Sequence, residues 1–87
     1  MINNDEIKKA KNTLERAGLD LKIRDYSKNK DYKINCCSLS TRAGHIAYAF
    51  KVLSGHLGLN PSKEVSYVPR KRIKVSPRLM NALKTVF

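Results

Sequence analysis

The sequence predicts a small single domain of the α+β class. Three observations lead to this prediction: the chain has 87 residues, its apolar residues recur at helical spacing in separate segments, and between these segments they alternate with polar residues. A chain of this length can build one hydrophobic core, so we expect a single domain over residues 1–87. The expected order is an N-terminal helix, a β-hairpin, a central buried helix, a short helix or strand at 61–75, and a C-terminal helix.

The N-terminal helix is predicted over residues 4–17. Its apolar side chains recur at steps of three, four and three residues, which places them on one face of a helix. Asp5 and Glu6 suit the positive end of the helix dipole, and Gly18 suits the position after the last turn. The apolar residues are Ile7, Ala10, Leu14 and Ala17.

A β-hairpin is predicted next, because the period of the pattern changes to two. Apolar and polar residues alternate in 19–24 and again in 32–37, as they do in half-buried strands. The segment between them, residues 27–31, is polar and suits an exposed loop.

The central helix is predicted to begin after a serine or threonine cap between residues 38 and 41 and to form the core. Only Arg42 and Lys51 are charged between residues 41 and 57. A helix with so few charges is buried on more than one side, so we expect Tyr48 and Val52 to contact other elements. Its apolar stripe consists of Ala43, Ile46, Ala47, Phe50, Leu53 and Leu57.

Residues 61–68 fit either a helix or a strand. In the helical interpretation Asn60 caps the helix, Pro61 is its first residue and Pro69 ends it. In the strand interpretation Val65 and Tyr67 alternate with Ser66 and Val68, and Pro69 is a bulge or break in the strand. Both alternatives stay open.

Extended chain is predicted for 71–75, followed by the C-terminal helix. Ser76 and Pro77 form a good pair of N-cap and first helical residue. This helix is expected to bury Leu83, together with Leu79 or Met80 and with Val86 or Phe87.

The charge of the chain predicts a polyanionic partner. Eighteen Lys and Arg against seven Asp and Glu give a formal net charge of +11, and Glu64 is the only carboxylate from Tyr32 onward. Such clustered charge repels itself, whereas a nucleic acid neutralises it and releases counterions. We therefore expect a nucleic-acid partner, DNA rather than RNA, and an acidic protein is the alternative partner.

The helical interpretation of 61–68 produces a helix-turn-helix arrangement around Gly58. The stretch LGLNPSKEVSYV, residues 57–68, would follow a long apolar helix, and VSPR, residues 75–78, would open a terminal helix. Residues 51–87 thereby resemble the DNA-binding headpiece of lac-repressor-type regulators, with one residue more between Gly58 and Val65. The resemblance implies a recognition helix in the major groove. Its base-contacting residues would be Ser62, Lys63, Ser66 and Tyr67.

Nine residues are expected to form the nucleic-acid-binding site of a DNA-binding regulatory protein. The basic run Arg70 to Lys74 suits phosphate contacts in either interpretation, because guanidinium and ammonium groups bind phosphate. Lys63, Ser66 and Tyr67 are expected nearest to base edges. The full set is Arg42, Lys63, Ser66, Tyr67, Arg70, Lys71, Arg72, Lys74 and Arg78.

Tyrosines offer a second mode of binding, because single-stranded bases stack on exposed aromatic rings. Tyr26 and Tyr67 are the better candidates, since they lie beside the hairpin loop and the basic run. Tyr32 and Tyr48 fall on apolar stripes, so we expect them in or near the core.

No catalytic or metal site is predicted. Four of the seven carboxylates lie in the first 20 residues, so few remain to form the carboxylate pair of a two-metal nuclease or a glycosidase. Cys36 and Cys37 are adjacent, and His45 and His56 are eleven positions apart, which does not match the spacing of zinc ligands. We expect no enzymatic activity and no cofactor.

The sequence further predicts an intracellular, cytoplasmic protein that does not bind membranes. No apolar run approaches the roughly 18 residues of a membrane span, and the first residues do not resemble a signal peptide. Two other functions fit the size and charge: a regulator or inhibitor that docks its basic face on a larger nucleic-acid enzyme, and an RNA- or ribosome-associated accessory protein. The oligomeric state is open, a homodimer included.

Overall fold

The computed structural model describes residues 4–27, 29–36 and 43–87. Arg42 and the proposed capping positions of the central helix lie outside the described residues. The described part is the α+β domain that the sequence predicts. Its elements are α1 (Asn4–Arg16), α2 (Leu19–Arg24), β1 (Tyr32–Asn35), α3 (Ala43–His56), α4 (Pro61–Glu64), β2 (Val65–Val68), β3 (Arg72–Val75) and α5 (Pro77–Leu83).

The N-terminal helix is confirmed as α1. Ala10 and Leu14 are buried, and the helix packs against α3. Gly18 ends this segment with φ 75°, a left-handed conformation that side chains with a Cβ adopt only at a cost. Gly18 therefore separates α1 from the next helix, α2.

The prediction of a strand at 19–24 is wrong, because these residues form helix α2. Leu19 and Ile23, four positions apart, are both buried, whereas Leu21 between them is 61% exposed. The sequence LDLKIR fits both a strand and a helix. Its apolar residues alternate with polar ones, as in a strand, and Leu19 and Ile23 are also about one helical turn apart, as on one face of a helix. The acidic first turn and basic last turn also match the helix dipole.

The hairpin of the fold lies nearer the C-terminus, between β2 and β3. Within the described residues the sheet is antiparallel and has the order β1-β3-β2. The strand predicted from residue 32 is confirmed as β1, but it pairs with β3 instead of residues 19–24. The extended chain predicted for 71–75 is confirmed over Arg72–Val75 as β3, whereas Lys71 lies in the turn before it.

Helix α3 is the centre of the core, as the sequence predicts. Phe50 and Leu53 are fully buried, and Val52 is buried as well. The helix packs against α1 on one side and against β2 and β3 on another. Tyr48 departs from the expectation because its side chain is 61% exposed.

Both interpretations of 61–68 are partly correct. Asn60 caps α4 by accepting a hydrogen bond from the Ser62 N–H at 3.1 Å, but the helix ends at Glu64. The β-branched Val65 then begins β2, paired with Val75. A recognition helix continuing to Val68 is therefore not formed.

The junction between the sheet and α5 depends on Glu64 and Ser76. The Ser76 N–H donates to the Glu64 carbonyl at 2.9 Å, and the Ser76 hydroxyl donates to the buried Glu64 carboxylate. The same hydroxyl accepts from the Leu79 N–H at 3.1 Å. The predicted N-cap of the C-terminal helix is thus confirmed, and Leu79, Met80 and Leu83 of α5 are buried.

No helix among the described residues is long and apolar enough to cross a membrane.

Replacing Ser76 with Ala is expected to lower the free energy of unfolding by about 2 kcal/mol, since it removes the helix cap and a partner of a buried carboxylate. Urea denaturation at fixed pH measures this change. Thr85→Ala is the matched control, because the exposed Thr85 hydroxyl only donates to the Ala82 carbonyl. The control should stay within about 0.5 kcal/mol of wild type, and an equally small effect for Ser76→Ala would contradict the prediction.

Candidate nucleic-acid interface

The sheet has one buried face and one outward face. Side chains alternate between the two faces along each strand, and Ile34, Val65, Ile73 and Val75 are buried on the inner face. The outward face, as the term is used below, consists of the six alternate residues in two cross-strand rows. One row is Lys33, Lys74 and Ser66, and the other is Asn35, Arg72 and Val68.

The outward face is basic. Lys33, Arg72 and Lys74 carry positive charges, and none of the six described residues of this face is acidic. Lys33 lies directly opposite Lys74 on the paired strands. Like charges in that position destabilise a sheet, so the arrangement opposes folding in the absence of an anion.

The turn between β2 and β3 extends this positive charge. Arg70 and Lys71 are exposed in it, next to the row that contains Arg72. The Lys71 N–H donates to the Val68 carbonyl at 3.0 Å, and the Lys71 carbonyl accepts from the Cys36 N–H at 3.1 Å. The turn is therefore held both within the hairpin and by the chain that follows β1.

Arg70 occupies an unfavourable backbone conformation. Its φ is 65°, and it is the only non-glycine residue with positive φ in the described part of the chain. Pro69 followed by a residue with positive φ is the pattern of a type II turn, in which Gly or Asn is usual at that position. An arginine there costs conformational energy that a glycine would avoid.

The structure brings together part of the predicted site. Arg70, Lys71, Arg72, Lys74 and Ser66 lie on the outward face or in the turn beside it. Lys63 and Arg78 are exposed on α4 and α5, outside the outward face. No position is described for Arg42.

Tyr67 lies on the inner face, away from the basic side chains. It pairs with the fully buried Ile73, and its hydroxyl oxygen would be 3.8 Å from a Cβ added at Gly44 of α3. The position expected for Tyr67 followed from the helical interpretation of 61–68. In strand β2 neighbouring side chains point to opposite faces of the sheet, so Tyr67 lies on the inner face and Ser66 on the outward face.

The other tyrosines do not form a stacking platform on the sheet. Tyr26 is buried, and its hydroxyl accepts from the Lys30 N–H at 3.2 Å. Its ring meets that of Tyr32 edge to face, with 6.2 Å between the centroids. Burial raises the pKa of Tyr32 above its ordinary value. Tyr26 and Tyr32 thus pack against each other within the fold. The prediction that Tyr26 offers an exposed ring for base stacking is wrong, because its side chain is buried.

Lys33, Asn35 and Val68 belong to the outward face and were not among the site residues predicted from the sequence. The alternation over 32–37 already places Lys33 and Asn35 on one face of a strand. It does not reveal that this strand lies beside β3, because the two segments are far apart in the sequence. The pairing alone joins them to Arg72 and Lys74.

Metal binding finds no support in the described residues. They contain no group of three or more His, Cys, Asp or Glu residues that could hold a metal ion. Cys36 is a half-buried free cysteine whose thiol lies 3.9 Å from the Val68 carbonyl. It contributes to the contact between β1 and the turn.

No protein-family model, curated protein or solved structure matches the chain. The likeness of 51–87 to lac-repressor-type headpieces therefore remains a resemblance in sequence. Since α4 has four residues and continues as β2, the candidate binding surface is the outward face of the sheet instead of a recognition helix.

Arg70→Gly is expected to make the domain more stable than Arg70→Ala by about 1 kcal/mol. Both variants remove the same charge and side chain, but only glycine relieves the cost of a positive φ. Urea denaturation of the two variants measures the difference. Equal stability, or a less stable glycine variant, would contradict the strain assigned to Arg70.

Proposed function

We propose that this protein binds nucleic acid, DNA in preference to RNA, as a small regulatory protein without catalytic activity. The observation that carries the proposal is the composition of the outward face. Lys33, Lys74 and Arg72 lie there on neighbouring strands, and its six described residues include no carboxylate. The charged side chains of this face therefore all carry the same sign.

The cost of this face in the free protein supports an anionic ligand. Lys33 and Lys74 repel each other across paired strands, and Arg72 lies next to them on β3. A phosphate backbone would remove the repulsion and release its own counterions. Binding would then be strongly dependent on salt and largely independent of sequence at the phosphate contacts.

The turn supplies further phosphate contacts. Arg70 and Lys71 are exposed beside Arg72, and guanidinium groups bind phosphate oxygens in a bidentate manner. The strain at Arg70 supports this role, because unfavourable backbone conformations concentrate at functional sites. Lys63 and Arg78 could add contacts from α4 and α5 if the nucleic acid extends past the sheet.

A binding role fits the chemistry of this face better than catalysis does. Its six described residues include no histidine, cysteine or carboxylate, which are the side chains that most often transfer protons or attack as nucleophiles. We also propose that the protein is intracellular and cytoplasmic, because nucleic acid is available there.

Lys33→Gln and Lys71→Gln are each expected to weaken binding to every DNA sequence, because each removes an exposed positive charge from the outward face or the turn beside it. Each lost phosphate contact should reduce the slope of log K against log salt by about 0.9. Fluorescence anisotropy with labelled duplexes, measured between about 50 and 200 mM salt, gives both the affinity and the slope.

Lys8→Gln is the matched control, because it removes one exposed positive charge from α1 and none from the sheet. It should leave the slope at the wild-type value. Equal effects of all three variants would indicate that net charge alone matters and would contradict the assignment of the outward face. If the wild-type protein shows no saturable binding at about 50 mM salt, the nucleic-acid proposal fails and an acidic protein partner is favoured.

A further inference from the structure

The dimensions of the outward face match the major groove of B-form DNA. Strands of four residues at about 3.4 Å per residue and about 4.8 Å apart give a face roughly 13 Å long with about 10 Å between its outer strands. The major groove is about 12 Å wide and about 8.5 Å deep. With β3 over the floor of the groove, β1 and β2 would lie towards its two phosphate rims.

The side chains on this face can distinguish base pairs. Arg72, on the central strand, carries the planar fork that binds the O6 and N7 atoms of guanine. Val68 is beside it on β2 and is 39% exposed, and an apolar side chain of this kind contacts the methyl group of thymine. Asn35 is beside Arg72 on β1, and an asparagine amide suits adenine.

The same face is poorly suited to single strands. Proteins that bind single-stranded nucleic acid stack the bases on aromatic side chains, and none of the six described outward residues is aromatic. Tyr67, the tyrosine of β2, pairs with Ile73 on the inner face. Stacking therefore has no platform on this part of the sheet.

Duplex RNA is also disfavoured. The major groove of A-form RNA is deep and narrow, so side chains on a broad element cannot reach its base edges. Its wide, shallow minor groove is recognised mainly by shape. A rigid sheet face that carries Arg72 at its centre matches the groove of B-form DNA better than either groove of the RNA duplex.

We propose that the outward face enters the major groove of duplex DNA and that Arg72 is a specificity-determining residue that reads guanine. This inference rests on the proposed function and narrows it to a ligand class and a base contact. Lys33, Arg70 and Lys71 hold the phosphates at the rims, and Val68 contacts the neighbouring base pair.

The test begins with selection of preferred duplexes from a random DNA pool by the wild-type protein. The selected sequences should share at least one invariant guanine. Affinity for the selected duplex should exceed that for a shuffled duplex, for the matching RNA duplex and for the single strand. Equal affinity for all four ligands would overturn the inference while leaving general nucleic-acid binding intact.

Arg72→Lys then separates base reading from charge. Lysine keeps the positive charge but lacks the bidentate fork, so the preference for the selected duplex over the shuffled one should fall about 10- to 100-fold. The salt slope should stay unchanged. Arg16→Lys is the matched control, because it makes the same change at an exposed residue of α1 outside the sheet, and it should preserve the preference. Full preference in Arg72→Lys would overturn the role of Arg72.

A change in the DNA tests the same contact in the unaltered protein. Replacing the invariant guanine with 7-deazaguanine removes the N7 acceptor from the major groove and leaves Watson–Crick pairing in place. Wild-type affinity for this duplex should fall about tenfold, whereas the affinity of Arg72→Lys should fall less, because lysine lacks the bidentate fork. Unchanged wild-type affinity would exclude the guanine contact. Failure of the wild-type protein to bind any nucleic acid would instead refute the proposed function itself.

Discussion

The two hydrogen bonds between Glu64 and Ser76 hold the strand register on which the proposed interface depends. They join the residue before β2 to the residue after β3, while the turn from Val68 to Lys71 closes the other end of the hairpin. A slip of one residue would turn Ile73 outward and Arg72 inward, because side chains alternate between the faces of a strand. Burial of the inner face and exposure of the basic face are therefore set by one register.

Two unfavourable features occur on the same side of the molecule. Lys33 faces Lys74 across the strands, and Arg70 has a positive φ in the turn next to the neighbouring row, which contains Arg72. A domain of this size has little stability to spare. The fully buried side chains of α3 and α5, such as Phe50 and Leu79, must offset these costs. Local conflicts of this kind, gathered at one surface, are expected where function selects the residues.

Sequence reasoning succeeded where the signals are local. The spacing of apolar residues defines α1 and α3, and Ser76 with Pro77 defines the start of α5. It failed at α2, because LDLKIR fits both periods and only burial of Leu19 and Ile23 decides between them. The basic run 70–74, which forms part of the proposed interface, could be recognised in the sequence. The contribution of β1 could not be predicted, because strand order depends on contacts between distant segments. The direction of the Tyr67 side chain could not be predicted either, because it depends on whether residues 61–68 form a helix or a strand.

The geometry also separates affinity from specificity. Positive charge at the edges and in the turn attracts any polyanion, whereas reading a base requires a donor held in a fixed direction. Arg72 satisfies this requirement because β3 is hydrogen-bonded to strands on both sides and Ile73, the next residue, is fully buried. Lys74 shares this strand but lacks the planar guanidinium fork. The core thus anchors the backbone of the proposed base-reading residue, and the surrounding lysines and arginines need only reach the phosphates.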